Sequence, residues 1–520
     1  MGVSRRSGAG RSDRMSARPH VTAVHDRIPW IQMLAYGLGG FVPIALFNSV
    51  GQLSGLIVNV GLGVSAILVG VAQMVPRLWD AITDPIMGHI SDNTRTRFGR
   101  RRPYILFGGF LVAATFVAMW AVPREWAAGP QFWYFLVMSL LFYTAVTVFE
   151  IPHGALGMEM TADYHERTRL FSAKSFVGNL GAMITPWFYA MANTLRFRGR
   201  GDEVDGMRNV GYLAAGIVIV FAVTCALLCK ERQIERVAGQ QRIPLWTQLR
   251  MTVRNRTFLM LVAIVFATVL GFNLVNNFSN YITIFYLFGG DKENASKLMG
   301  WLGTTWGVTA VVAVFPLNWA SSRIGKTRTL MLAVGLMLGA QASKVVCYNP
   351  HAPWLLFIPT AMLSGGMLMF FTLASAMIAD VCDEDELNTG MRSEGSFYAV
   401  FWWFMKMGMA GAYFVAGVLI ATTGFREKVD VQTPYTLLML RVFEIGIPIA
   451  LGLVSLALIR KYPLSEARAY EDEVKRELER RVMRCPQCGY DLRGSEQGTI
   501  CPECGEPALG PQVRGDDSPP

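Results

Sequence analysis

The chain has 520 residues, 52% hydrophobic and only 17% charged, with a mean hydropathy of +0.33. A soluble chain of this length would divide into several domains and carry more charge, so the composition points to a polytopic α-helical membrane protein. The net charge of +10 does not argue for nucleic acid, because the basic residues gather in short stretches between apolar runs, where membrane topology accounts for them.

Residues 1–29 are polar and contain Arg5, Arg6, Arg11, Arg14 and Arg18. The apolar stretch that follows is too long for a cleavable signal peptide, so a disordered cytoplasmic tail is expected. Twelve apolar segments then recur, with cores near 30–50, 62–87, 103–122, 131–155, 170–192, 210–229, 257–288, 297–318, 329–348, 354–379, 395–421 and 434–459. Most reach the ~20 residues that cross a hydrocarbon core as a helix. The stretches after segments 2, 4, 6 and 8 are basic: Arg95–Arg102, then Arg167, Arg169 and Lys174, then Lys230–Arg256, then Arg323, Lys326 and Arg328. Those after segments 1 and 3 are nearly free of Lys and Arg, which places both termini in the cytoplasm. One loop dissents, with Arg196, Arg198, Arg200 and Arg208 after segment 5. The longest internal loop, 230–256, divides the segments into halves of six, 30–229 and 257–460. A faint echo supports the division: Asp92-Asn93-Thr94-Arg95 with Gly99-Arg100 follows segment 2, and Ser322-Arg323-Ile324-Gly325-Lys326 follows segment 8.

A charged stretch of good helix formers, 461–484, is expected as a cytoplasmic helix or linker. Residues 485–506 carry Cys485, Cys488, Cys501 and Cys504 as two Cys-Pro-x-Cys-Gly knuckles, and 507–520 read as a disordered tail. Two such knuckles suit a tetrahedral S₄ site and resemble a compact zinc ribbon with structural Zn²⁺; a cytoplasmic position argues against disulfides. A protein partner is one use for such a module, and nucleic acid is not expected. Cys225, Cys229, Cys347 and Cys382 are scattered among apolar residues and read as core.

Charge inside the apolar segments marks the candidate site, because it is expensive there unless it meets water, a cation or a partner. Asp80 and Asp84 are four apart, so they share a helix face. With the Thr83 hydroxyl they can coordinate Na⁺, hold a proton or pair with a cationic side chain. Segment 4 adds Glu150 and Thr147, beside Pro152, which leaves backbone carbonyls unpaired. Lys406, within FWWFMKMGMAGAYF and one turn after Trp402, cannot easily reach an interface and needs an acidic partner. Asn273, Asn276, Asn277 and Asn280 follow helical spacing on segment 7 and form one polar face, fit for sugar hydroxyls or for interhelical bonds. Asp92, Arg95, Arg100 and Arg102 can pair with Asp380, Glu384 and Arg392 of the 379–395 stretch as an inner gate.

Three runs carry a resemblance: RLWDAITDPIMGHISDNTRTRFGRRRP, EIPHGALGMEMTADYHERTRL and IADVCDEDELNTGMRSEGSFYAVFWWFMKMG. Over roughly 30–460 the chain resembles the glycoside–pentoside–hexuronide:cation symporters, the melibiose-permease-like branch of the major facilitator superfamily. The resemblance implies twelve transmembrane helices in two pseudo-symmetric halves and symport with Na⁺ or H⁺. It puts the cation site on Asp80, Asp84 and Thr147, with Thr83 where the family has an amide ligand, and it matches Lys406 to the family's helix-11 lysine. Of the two sugar-binding acids it matches one to Glu150; the other falls near Ile44, where no acid stands, and the aromatic after the helix-4 acid is Gly154. The expected function is therefore cation-coupled transport of a sugar or glycoside across the cytoplasmic membrane. The alternatives are transport of a non-sugar such as a lysolipid or organic acid, or a membrane-tethered sensor that signals through the ribbon. No nucleotide loop or nucleophile–base set suggests an enzyme.

Overall fold

The computed structural model describes residues 27–161, 164–194, 197, 201–231, 255–389 and 394–463. Most of the N-terminal tail, most of the central loop, Arg392, the 464–484 linker, the four ribbon cysteines and the final tail lie outside the described residues. The described residues form twelve long helices: α1 Trp30–Gly61, α2 Ala66–Asn93, α3 Arg102–Trp120, α4 Ala128–Glu159, α5 Tyr164–Asn193, α6 Glu203–Leu228, α7 Arg256–Leu287, α8 Lys292–Ile324, α9 Lys326–Cys347, α10 Phe357–Thr389, α11 Glu394–Thr422 and α12 Pro434–Arg460. α1 widens into π turns at Val42–Leu46 and Gly55–Gly61, and α7 ends in one at Ile282–Leu287. The first π turn contains Pro43, which has no N–H to give the regular ladder.

The helices outrun their apolar segments. α2 continues to Asn93, α5 takes in Arg167, Arg169 and Lys174, and α10 takes in Asp380 and Glu384, all expected in or at the edge of loops. The reason is that hydropathy marks the thickness of the apolar zone, whereas a helix satisfies its own backbone on either side of it. Ten of the twelve helices are long and apolar enough to cross a membrane by composition; α2 and α5 fall short. α2 holds Arg77, Asp80 and Asp84, and α5 holds Glu166, Arg167, Arg169 and Lys174.

The packing repeats with a shift of six helices. α3 packs on α4 and α6 as α9 packs on α10 and α12; α1 packs on α5 and α6 as α7 packs on α11 and α12; α2 meets α4 as α8 meets α10. The two polar helices make the most extensive cross-half contacts, α2 with α11 and α5 with α8. The sequence echo also has a backbone counterpart. Gly99 (φ +99°) and Gly325 (φ +82°) turn the chain in the left-handed region that only glycine enters cheaply.

At the end opposite the basic stretches the halves close on each other. A Cβ on Gly70 would stand 2.8 Å from the Tyr413 carbonyl oxygen, and one on Gly417 would collide with that of Ala66, so the α2 and α11 backbones touch. Gly300 and Gly303 of α8 receive Trp187 and Pro186 of α5 in the same way. The buried core is continuous across the halves there, joining Leu53, Leu56 and Val60 to Tyr281, Phe285 and Phe425. Asn280 donates to the Gln52 carbonyl (3.2 Å), Tyr281 donates to Asn59 Oδ1 (3.0 Å), and Lys292 pairs with Glu203 (2.5 Å). At the basic end the second half keeps a separate core around Phe258, Leu261, Phe397 and Phe401.

Candidate ion and substrate site

The site is built where α2 crosses between α4 and α11. Helical spacing sets Asp80 and Asp84 one turn apart, but their surroundings differ. Asp84 is half-buried and bonded on both sides. Thr147 of α4 donates its hydroxyl to Oδ1 (2.9 Å), and the Lys406 ammonium of α11 pairs with Oδ2. One carboxylate thus ties the two halves together. Thr83 lies 3.5 Å from Thr147, hydroxyl to hydroxyl, and Trp79 donates to Thr144 (2.9 Å), fixing α2 against α4.

Asp80 is buried, and its Oδ1 has no hydrogen-bond partner. An orphaned buried carboxylate oxygen, one helix turn from the carboxylate that Thr147 engages, is a hard oxygen donor of the kind that Na⁺ or a proton takes. Arg77, one turn before Asp80, is the residue that sequence reasoning missed. It is 2% exposed, with its guanidinium carbon 3.2 Å from the Phe47 ring centroid and 5.0 Å from that of Tyr143. Its Nε and Nη1 have no hydrogen-bond partner, and Asp80 is among the charges that act on it. The available signal was a third charge in the same apolar run, three residues before Asp80.

Glu150 lies on α4 within electrostatic reach of Lys174, Asp84, Lys406 and Arg77. Near it, His153 is fully buried, stacks on Tyr36 (4.4 Å between centroids) and bonds the Tyr36 carbonyl through Nε2 (3.0 Å). Trp402 is 40% exposed and meets Tyr398 and Phe401 edge-on. The α7 amides divide. Asn273 and Asn277 each donate to the carbonyl four residues back on their own helix (2.9 Å), while Asn276 is exposed and lines a cavity of about 270 Å³ with Asn280, Gln52 and Asn48.

Among the described residues the basic end holds an ionic network inside each half, while Arg392 of the gate expected between 92–102 and 379–395 lies outside them. Arg100 and Arg101 converge on Glu159 at the end of α4 (2.6 and 3.0 Å), and Arg101 also meets Asp92 and Ser91 of α2. Glu231 accepts the backbone N–H groups of Arg100, Arg101 and Arg102 at the start of α3 (2.8, 2.8 and 3.2 Å). Arg102 itself donates to the terminal carbonyls of α6, Ala226 and Leu227. In the second half Lys326 pairs with Asp380 (2.7 Å). Arg95 is exposed. Glu159 and Asp380 each find a partner in their own half because the chain delivers one nearby, at the close of the adjoining helix pair. The hydrogen bond from Arg100 to Glu159 is its largest influence and raises the Arg100 pKa, against the lowering effect of burial. No group of three His, Cys, Asp or Glu side chains among the described residues could hold a metal ion.

Twelve helices in two repeated halves, with an ion pair joining α2 of one half to α11 of the other, fit a membrane transporter. A family model for MFS/sugar transport proteins matches residues 36–466, and the chain belongs to that family. Among relatives, it is 25% identical to the isoprimeverose transporter of Lactiplantibacillus pentosus, over 86% of this chain and 92% of that one. It is 22% identical to the sodium-dependent lysophosphatidylcholine symporter 1 of Gallus gallus, over 88% and 90% of the two. Among solved structures, a D-xylose–proton symporter superposes with a TM-score of 0.62 over 85% of this chain and 99% of that one, at 14% identity, which establishes the major facilitator fold. The protein is thus a major facilitator transporter of a symporter family, in which transport is coupled to a cation.

Proposed function

We propose that the protein carries a sugar or glycoside through the cytoplasmic membrane by symport with Na⁺ or H⁺, with both termini in the cytoplasm. The observation that carries this reading is the double engagement of Asp84 by Thr147 and by Lys406 across the halves. In the cation-free carrier Lys406 stands in for the ion. A cation arriving at Asp80, Asp84, Thr83 and Thr147 competes for the same carboxylate and frees the Lys406 ammonium. Lys406, with Glu150 and the Asn273, Asn276 and Asn277 face, then receives the substrate, and Trp402 offers a ring to stack on. The tight packing of α2 on α11 and α5 on α8 at the opposite end fits a carrier open to the cytoplasm. Rocking of the halves about this interface would move the site to the other side. The basic stretches at the end that carries the termini support the orientation.

The isoprimeverose transporter supports a sugar as cargo. The lysophosphatidylcholine symporter supports a second reading, transport of an amphiphilic non-sugar, favoured by Ile44 and Gly154 standing where a sugar site has an acid and an aromatic. Uptake of labelled glycosides, lysolipids and organic acids into vesicles, with and without Na⁺ and pH gradients, separates the two. Gradient-dependent glycoside uptake supports the proposal; uptake of lysolipid alone overturns it. The spacing of Cys485, Cys488, Cys501 and Cys504 further supports a structural zinc ribbon serving as a protein-interaction module.

A further inference from the structure

The loop between α11 and α12 has no helix or strand, yet it is tightly built. Gln432, 6% exposed, closes it: Nε2 donates to the carbonyls of Arg426 and Val429 (both 2.8 Å), and Oε1 accepts the Arg426 N–H (3.0 Å). Phe425 anchors the loop from below, edge-on to Tyr281 and Phe285 of α7 (5.1 Å each). The Asp430 backbone lies against the turn between α7 and α8, where a Cβ on Gly290 would stand 2.6 Å from the Asp430 carbonyl oxygen.

Within this loop Lys428 has φ +58°, and among the described residues it is the only one other than glycine in the left-handed region. Glycine would enter that region cheaply, whereas lysine strains the turn. Strain of this kind points to a side chain that the position needs. The side chain reaches across the halves. Gly63, in the turn between α1 and α2, has φ +79°, and a Cβ there would stand 2.5 Å from Lys428 Cε, 3.1 Å from Cδ and 3.2 Å from Cγ. The aliphatic stem therefore lies on the open face of the glycine, while Lys428 as a whole is exposed. Its seat is firm. Asn59 donates across the turn to the Val64 carbonyl (2.7 Å), and its Oδ1 accepts the Tyr281 hydroxyl from the other half (3.0 Å). The Gly63 N–H donates to the Asn59 carbonyl (2.9 Å).

We propose that Lys428 is a positioning residue of the transport cycle: its stem, seated on Gly63, clasps the two halves at the outer end, and the loop closed by Gln432 is the arm that carries it. The Lys292–Glu203 pair holds the same end by charge. A few methylenes on a glycine make a weak contact, which suits a clasp that releases in every cycle, since a large bias toward one state would trap the carrier there. The inference rests on the reading of a carrier closed at this end and not on its cargo.

The test uses the full chain in right-side-out membrane vesicles, with a membrane-impermeant maleimide as probe. Gln52→Cys is the reporter, because Gln52 borders the cavity beneath the closed end, whereas Cys225, Cys229, Cys347 and Cys382 are buried. Lys428→Ala and Lys428→Gly both remove the stem and should speed labelling from outside about fivefold, as expected for exposing one or two methylenes. Lys428→Met keeps the stem without the charge and should label as the unaltered residue does. Lys428→Gly also relieves the turn, so its thermal midpoint should stay level or rise while the closure loosens, a combination that a merely structural residue does not give. Gly63→Ala should speed labelling beside Lys428 and much less beside Lys428→Gly, where the space is free. Unchanged labelling in Lys428→Ala and Lys428→Gly overturns the clasp, and so does a rise in Lys428→Met equal to that in Lys428→Ala. Uptake of lysolipid and of no glycoside by the unaltered protein overturns the proposed function and leaves the clasp standing.

Discussion

Opposite effects of substituting the two partners at Asp84 would separate an ion-coupling device from a structural salt bridge. Asp84→Asn keeps the side-chain shape and an oxygen for the Thr147 hydroxyl, but removes the charge that faces Lys406. Two unit charges ~4 Å apart at an effective dielectric of ~20 attract by about 4 kcal/mol. The side chains of Lys406 and Asp84 are 27% and 26% exposed, so solvent screening reduces this to about 2–3 kcal/mol. At 1.4 kcal/mol per decade, cation affinity should fall roughly 30- to 150-fold in Asp84→Asn. Lys406→Met removes the competitor for the same carboxylate. Cation affinity should therefore rise by a comparable factor, while net symport stops because the empty carrier lacks its internal cation. The assay is the half-saturating Na⁺ concentration, and in parallel the pH dependence, of substrate binding to purified protein. A purely structural pair predicts that both substitutions destabilise the fold and weaken cation binding together. A parallel shift of the two variants in the same direction would refute the competition.

Three further outcomes follow from the packing and the termini. Gly417→Leu puts a side chain into the Ala66 carbonyl where α2 touches α11, so it should pry that end open; a cysteine introduced at Asn280 should then label faster from outside, and an unchanged rate would contradict the closure. Glu159→Gln removes the charge shared by Arg100 and Arg101, the latter only 4% exposed, and should cost about 3 kcal/mol, read as a lowered thermal midpoint in detergent; a loss under about 0.5 kcal/mol would mean that Glu231 and Asp92 suffice. Cys485→Ser should release bound zinc, measured with a chromogenic chelator, and leave uptake largely intact; loss of transport would make the C-terminal module part of the carrier.

The twelve spans were legible because a lipid-facing helix must be apolar along its length, and the halves because the basic stretches recur in step. The helix ends were not legible. His89 to Asn93 and Asp380 to Thr389 are polar but helical, since nothing in hydropathy tells a water-exposed helix turn from a loop. Asp80, Asp84 and Lys406 stood out as charges in apolar runs, and the structure brings Asp84 to Lys406 from 322 residues away. Arg77 escaped notice although it obeys the same rule, because two nearby carboxylates drew the reading toward an external cation. Charge complementarity alone does not choose a partner for Glu159 or Asp380. The positions of Gly99 and Gly325 give each half its own copy of the turn and an acid at the next helix end. Amide spacing on α7 correctly marks one face, yet it cannot show that Asn273 and Asn277 spend their donors on the backbone while Asn276 does not. Nothing in the sequence pairs Lys344 with Glu444, 100 residues away; only the fold brings them together.

The two carboxylates of α2 differ in what opposes them, and that difference bears on the proposed cycle. Arg77 is the strongest charge acting on Asp80, and its guanidinium is lodged among Phe47 and Tyr143 and cannot leave without stranding a buried charge. Asp84 faces Lys406, a flexible ammonium on a helix of the other half. A fixed cation beside Asp80 lowers the net charge of the empty site without ever competing by moving away. A mobile one at Asp84 can be displaced, and its displacement alters a contact between the halves. Only the second arrangement couples ion binding to the relative position of the halves, because a ligand shifts a conformational equilibrium by no more than its differential interaction with the two states. On the proposed cycle Asp80 would set the strength of the site and Asp84 the coupling, so exchange of Lys406 for the less displaceable Arg should retain the salt bridge and slow gradient-driven uptake.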